Sequence, residues 1–219
     1  MRKTVLKLPF TPQQFSITIK NQKFNFLCPG DPDSVLDSIT DDQYEKDQFL
    51  PYWVDHWPAA QILFPFILDA SIAAHISACE LGCGLGVIST ALASKNIKTV
   101  SIDISPQACI FAFENIYRNS GIPRVLSTDW RYIGLLQTFD LIVASDVLYE
   151  ERWIEPILTC IKQLLNPGGK AWIADPCRRH WEAFKAASRA FGFSAHVIHK
   201  GIANEGKTTV EILELKAQD

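Results

Sequence analysis

The chain has 219 residues, 47% of them hydrophobic, which suits one domain with a sizeable core. Its 21 Lys and Arg against 24 Asp and Glu leave a net charge of −3 at pH 7, so no global basic field draws it to nucleic acid or an anionic membrane. No run approaches the roughly 20 apolar residues of a membrane span, and Met1-Arg2-Lys3 lacks the apolar core of a signal peptide. Six cysteines (Cys28, Cys79, Cys83, Cys109, Cys160 and Cys177) are scattered, and no second Cys/His pair at zinc-site spacing joins Cys79 and Cys83. The expectation is a soluble, monomeric protein of a reducing, cytoplasmic compartment, with no metal and no nucleic-acid partner.

Phe15-Ser16-Ile17-Thr18-Ile19 and Phe24-Asn25-Phe26 alternate around Asn21-Gln22, the pattern of a β-hairpin. This hairpin would either shape a substrate cleft or cover an edge. Pro29 to Asp47 then carries Asp31, Asp33, Asp37, Asp41, Asp42, Glu45 and Asp47 against the single Lys46. Asp31-Pro32-Asp33 opens like a calcium loop, but the glycine and terminal glutamate are not in place, so the stretch reads as a solvated acidic segment. Beside an active site it would favour a basic substrate. Residues 1–50 are thus an extension, and 51–219 the main domain.

Pro51-Tyr52-Trp53-Val54-Asp55-His56-Trp57-Pro58 leads into a helix, with Pro58 in its first turn and Ile62, Leu63, Phe66 and Ile67 on one face. Pro65 predicts a kink. The aromatic and histidine side chains of 52–57 form either a packed core cluster or a lid over a ligand. From Ile76 strand and helix alternate. Strands are predicted over 76–81, 99–103, 125–127, 139–144 and 170–174, and helices over 86–94, 106–119, 151–165 and 178–191. Asn166-Pro167-Gly168-Gly169 is read as a turn, and 193–199 with 208–215 as a closing antiparallel hairpin. Such alternation predicts a doubly wound parallel sheet with helices on both faces. Its ligand then sits at the carboxyl ends of the strands, where strand order reverses.

The central stretch is Glu80-Leu81-Gly82-Cys83-Gly84-Leu85-Gly86, at the end of the first of these strands. Glycines permit a tight turn and a close backbone approach, and the following helix N-terminus adds unpaired N–H groups. The spacing is not the pyrophosphate fingerprint, whose third glycine comes one residue later. Glu80 would repel a pyrophosphate and attract a cationic amine. Asp103 ends the next strand, where an acid accepts from a ribose diol. Together these residues resemble the first motif, and the acid that follows it, of class I S-adenosylmethionine-dependent methyltransferases. The resemblance implies a Rossmann-like, seven-stranded α/β sheet with S-adenosylmethionine as cofactor. Asp129-Trp130 then reads as an acceptor for the adenine amino group and a ring to stack on it, or as a loop aspartate beside a surface aromatic.

Phe139-Asp140-Leu141-Ile142-Val143-Ala144 carries an apolar run, a buried parallel strand that delivers Ser145 and Asp146 to the cofactor edge, with Tyr149 three residues on. A carboxylate and a phenol there can hold an amine and orient its lone pair toward a methyl donor. The alternative is an Asp146 that caps the helix after it. Tyr52-Trp53, Trp57-Pro58-Ala59, the glycine motif, Asp129-Trp130 and Asp146-Val147-Leu148-Tyr149 resemble the protein lysine methyltransferases of methyltransferase family 16 over about residues 50–175. That resemblance implies that Trp57 lines the cofactor pocket and that Asp146 and Tyr149 flank a target lysine of a protein substrate. The Asn-Pro-Pro-Tyr motif of other N-methyltransferases is not in the sequence. Asp175-Pro176 and Arg178-Arg179 either border the substrate site or only open a helix. A small-molecule amine or O-methyltransferase, and a cofactor-binding protein without catalysis, stand as alternatives.

Overall fold

A computed structural model describes residues 7–41, 44, 50–73, 75–135 and 138–217. The acidic positions Asp42, Glu45 and Asp47, with Lys46, lie outside them.

A seven-stranded sheet runs in the order β5-β4-β3-β6-β7-β9-β8. Its strands are β3 (Ser77–Leu81), β4 (Lys98–Asp103), β5 (Val125–Ser127), β6 (Phe139–Ser145), β7 (Leu165–Asp175), β8 (Phe193–Ala203) and β9 (Thr208–Ala217). Strands β3 to β7 pair in parallel, and β9 enters antiparallel between β7 and β8. This is the expected doubly wound sheet with its C-terminal hairpin. β6 is buried on both faces over Leu141–Ala144, where its apolar residues run without interruption. Helices α2 (Pro58–Asp69), α3 (Val87–Ser94) and α4 (Pro106–Arg118) bury one apolar layer together with the N-terminal hairpin. Helices α5 (Ile154–Leu164) and α6 (Trp181–Ala190) bury the other. Strand order reverses between β3 and β6, and the carboxyl ends of these strands open toward the site.

Local chemistry sets most boundaries. Ser105 caps α4 by accepting from the Ala108 N–H at 3.2 Å, and Pro106 fills the first position. α2 runs on through Pro65 to Asp69. The turn expected at 166–169 is instead an irregular start to β7: Phe139 pairs with Leu165, but Leu141 pairs with Lys170. α6 begins at Trp181 rather than Arg178, because Arg178 is tied to Asp175. A five-residue helix, α1 (Pro32–Leu36), is capped by Asp31, which gives that acid a local structural partner.

The N-terminal hairpin, β1 (Pro12–Ile19) and β2 (Gln22–Pro29), turns at Lys20, whose φ is 53°. It forms a two-stranded sheet of its own. Phe24 and Phe26 pack on Phe64 of α2, and two asparagines one helical turn apart on α4 hold β2 by its backbone. Asn119 accepts from the Asn25 N–H and donates to its carbonyl, both at 2.9 Å. The fully buried Asn115 does the same for Leu27 and also donates to the Leu85 carbonyl at 2.9 Å. The extension is thereby fastened to the glycine loop. No helix among the described residues is long and apolar enough to cross a membrane.

Candidate active site

A cavity of about 250 Å³ lies over the carboxyl ends of β3, β4 and β6. On one side it is walled by the glycine loop. Gly82, Gly84 and Gly86 all adopt left-handed backbone, with φ of 69°, 48° and 73°. They serve different ends. Gly82 and Gly84 line the cavity, whereas Gly86 does not. A Cβ on Gly86 would lie 2.8 Å from the Ala112 Cα, so this glycine lets α4 pack on the loop. A Cβ on Gly84 would meet only ordinary contacts, the nearest being the Trp53 carbonyl oxygen at 3.5 Å.

Glu80 is 1% exposed and lines the same wall. Its Oε2 accepts from the Ser89 N–H at 2.8 Å and from the Ser89 hydroxyl, which also meets the Ser101 hydroxyl. Burial outweighs these donors and pushes the carboxyl up to about 8, so it is protonated at neutral pH until a cation is placed against it. Asp103 accepts from the Gly84 N–H at 2.8 Å and the Ser105 N–H at 2.9 Å. Burial raises it to about 6. Trp130 closes this side; its indole N–H is buried without a partner among the described residues, and its ring meets Trp153 edge-on at 5.6 Å. Asp129 is not in the lining. Its carboxylate accepts from the Arg131 backbone N–H at 2.8 Å and from Arg131 Nε at 2.7 Å, which caps the turn Trp130–Tyr132.

Ser145 and Asp146 leave the end of β6 on the opposite side. The Asp146 side chain is 6% exposed and its φ is 61°. Oδ2 accepts from the N–H groups of Ala59 and Ala60 at 2.9 and 3.3 Å; Oδ1 accepts from Arg178 Nη2 at 2.8 Å. Asp146 does cap a helix, but it is α2, far earlier in the chain, not α5 that follows it. Burial raises its carboxyl to about 6, against the pull of Arg178. Tyr149 turns back over the cavity. Its ring lies 4.6 Å from Tyr52 and 6.1 Å from Trp153, and burial, helped by the charge of Asp103, pushes its phenol up. Trp57 lines the wall, donates its indole N–H to the Tyr52 carbonyl and carries Arg178 at 5.9 Å over its ring. In the segment 52–57, Trp53 and Val54 are buried, Trp53 packs against Phe111, and Tyr52, Trp53, Asp55, His56 and Trp57 line the cavity.

Among the lining residues that the sequence did not assign a site role are Tyr52, Asp55, His56 and Arg178. The density of aromatic and histidine side chains at 52–57 was the available signal for the first three. His56 stacks on Phe15 of the hairpin at 5.5 Å, and burial lowers it to about 4, leaving a neutral imidazole whose Nε2 has no partner among the described residues. For Arg178 the sequence left open a place bordering the substrate site or at a helix start; it lines the cavity and precedes α6.

The methyltransferase domain family matches residues 72–214. Electron transfer flavoprotein beta subunit lysine methyltransferase of Danio rerio is 29% identical over 135 residues, 60% of this chain and 52% of that protein. The mitochondrial ubiquinone biosynthesis O-methyltransferase of Homo sapiens is 28% identical over 133 residues, 58% of this chain and 33% of that one. The match thus spans about half of one relative's length and a third of the other's. A TehB-like S-adenosylmethionine-dependent methyltransferase of Corynebacterium glutamicum shares the fold, with a TM-score of 0.58 at 19% identity over 75% of this chain and 89% of that one. Strand order, a glycine turn flanked by Glu80 and Asp103, and the matched family agree: the chain belongs to the class I S-adenosylmethionine-dependent methyltransferases.

Proposed function

We propose that the chain is an N-methyltransferase acting on a lysine side chain of a protein. The observation that carries this is the charge and shape of the cavity wall. Asp55, Asp103 and Asp146 line it, Arg178 is the one Arg or Lys among the described lining residues, and the Tyr52 and Tyr149 rings stand 4.6 Å apart beside them. Such a wall suits a cationic head on an apolar stem, which is what lysine presents. The sequence similarity to a lysine methyltransferase agrees with this reading.

The residues present fit the cofactor. Glu80 would face its cationic amine, Asp103 its ribose diol and Trp130 its adenine, while Gly84 presents no Cβ at the loop. S-Adenosylmethionine supplies a methyl group on a positively charged sulfur. The chain's own task is then to hold an uncharged amine in line with that methyl. A carboxylate has about four lone-pair sites. Asp146 uses three on Ala59, Ala60 and Arg178, which leaves one on Oδ1 for an amine N–H. The Tyr149 phenol stays protonated and adds a second fixed contact. Holding the nucleophile this way is catalysis by positioning. The test is incubation of cell lysate with the protein and methyl-labelled S-adenosylmethionine, followed by mass spectrometry. Label on a lysine of a discrete protein is expected; label confined to small molecules would transfer the reading to the small-molecule alternative.

A further inference from the structure

The ends of β6 and β7 lie side by side, with Ser145 paired to Ala174. Just past them both chains enter left-handed backbone at residues that are not glycine: Asp146 at φ 61° and Cys177 at φ 54°. Such conformations cost of order 1–3 kcal/mol and persist only where surrounding contacts fix them. The contacts are visible. The Asp146 N–H donates to the Ala174 carbonyl at 3.1 Å. The Arg178 N–H donates to Asp175 Oδ1 at 2.7 Å, and its guanidinium bridges Asp175 Oδ2 at 3.0 Å and Asp146 Oδ1 at 2.8 Å. Asp175 is fully buried and Asp146 nearly so, whereas the Arg178 side chain is 24% exposed and reaches the cavity.

We infer that Arg178 is a positioning residue: its guanidinium clasps the two strand ends so that Asp146 grips the N-terminus of α2 with one oxygen and faces the cavity with the other. The inference rests on the amine-acceptor reading above. A planar fork suits the task because it meets two carboxylates in fixed geometry, which an ammonium does not. The groups that face Asp146 are Arg178 and Asp175 from the end of β7 and the N–H groups of Ala59 and Ala60 from α2. Without Arg178, two buried carboxylates share one pocket, and one of them takes up a proton. A protonated Asp146 then faces the cavity without the charge that attracts the target amine.

The test uses the full chain with Arg178→Met, Arg178→Lys and the wild type. Carbon-detected NMR of labelled aspartate follows the Asp146 titration, calorimetry follows S-adenosylhomocysteine binding, and labelled lysate follows methyl transfer. In Arg178→Met the Asp146 midpoint is expected to rise by at least about one unit. The pH at which methyl transfer reaches half its maximum should rise with it, while S-adenosylhomocysteine affinity changes less than about twofold. Arg178→Lys should recover most of the titration and part of the rate. An Asp146 midpoint unchanged in both variants overturns the inference, as does equal loss in Met and Lys variants at every pH. If Arg178→Met does not fold, the Asp146 midpoint in Arg178→Gln decides in its place: a rise supports the clasp and no movement refutes it. Should wild-type protein label no protein acceptor, the lysine reading fails, while the NMR titration still decides the role of Arg178.

Discussion

Glu80, Gly82, Gly84 and Asp103 wall one side of the cavity from a single strand–loop–helix–strand run, whereas Tyr52, Trp57, Asp146, Tyr149 and Arg178 reach the other side from three segments far apart in the chain. On the first side the requirements are local and fall on the backbone. A left-handed turn needs glycine, and a carboxylate at the end of β4 braces that turn through the Gly84 N–H. On the second side the requirements are tertiary. Asp146 caps a helix that precedes it by most of the sheet, and Arg178 ties it to a neighbouring strand. The difference teaches that substitutions on the first side should act through ligand binding or the loop itself, and those on the second through geometry at the acceptor.

Gly86→Val should show the largest effect, because it breaks the local side outright. Its side chain would drive into Ala112 from a left-handed residue, at a cost above roughly 3 kcal/mol. Thermal melting by circular dichroism should find little folded protein; a wild-type melt would show that α4 does not depend on this glycine. Gly84→Val, two residues away, should fold at a cost of about 1–2 kcal/mol for the left-handed valine. Its S-adenosylhomocysteine affinity should nevertheless fall about 100-fold, or ~2.7 kcal/mol. Unchanged affinity by calorimetry would remove the glycine loop from the cofactor site.

Asp103→Ala comes next, with a loss of roughly 1.5–3 kcal/mol in cofactor affinity, the scale of hydrogen bonds to a charged group. A change of a few tenths would mean that Asp103 only braces Gly84. Glu80→Gln should give the smallest effect, seen as stability. The carboxyl is raised from 4.5 to about 8 by burial, so its contribution is whole below pH 4.5 and is lost as pH rises through 8. The wild type without cofactor should therefore lose thermal stability between pH 4.5 and 8 more steeply than Glu80→Gln. Parallel melting profiles would show that Glu80 is not buried as a neutral acid.

The local side was legible in the sequence because its signals sit in adjacent residues. Glu80, the glycines and Asp103 announce a strand, a turn and a second strand end, and the sheet and its hairpin followed from the same alternation. Gly86 shows the limit even there: motif spacing assigns it to a ligand, while its close neighbour is the Ala112 backbone. Asp129 shows another, since Arg131, two residues on, takes its carboxylate. On the tertiary side, sequence placed Asp146 and Tyr149 at the right strand end but named the wrong helix for Asp146 to cap. Helix capping from a distant loop leaves no local pattern. The fastening of the hairpin by Asn115 and Asn119 was equally silent, because polar residues four apart on a helix usually face solvent.

The central claim is that the two sides divide the work, one holding the cofactor and the other presenting the amine. Tyr149→Phe tests it most directly, since it removes one hydroxyl from the acceptor side and leaves the ring pair with Tyr52 in place. Single-turnover methyl transfer to the labelled acceptor should be measured with cofactor bound, alongside S-adenosylmethionine affinity. The expected result is a rate reduced by about 10-fold or more, with affinity unchanged within about twofold. Equal losses of rate and affinity would contradict the division and move Tyr149 into the cofactor site.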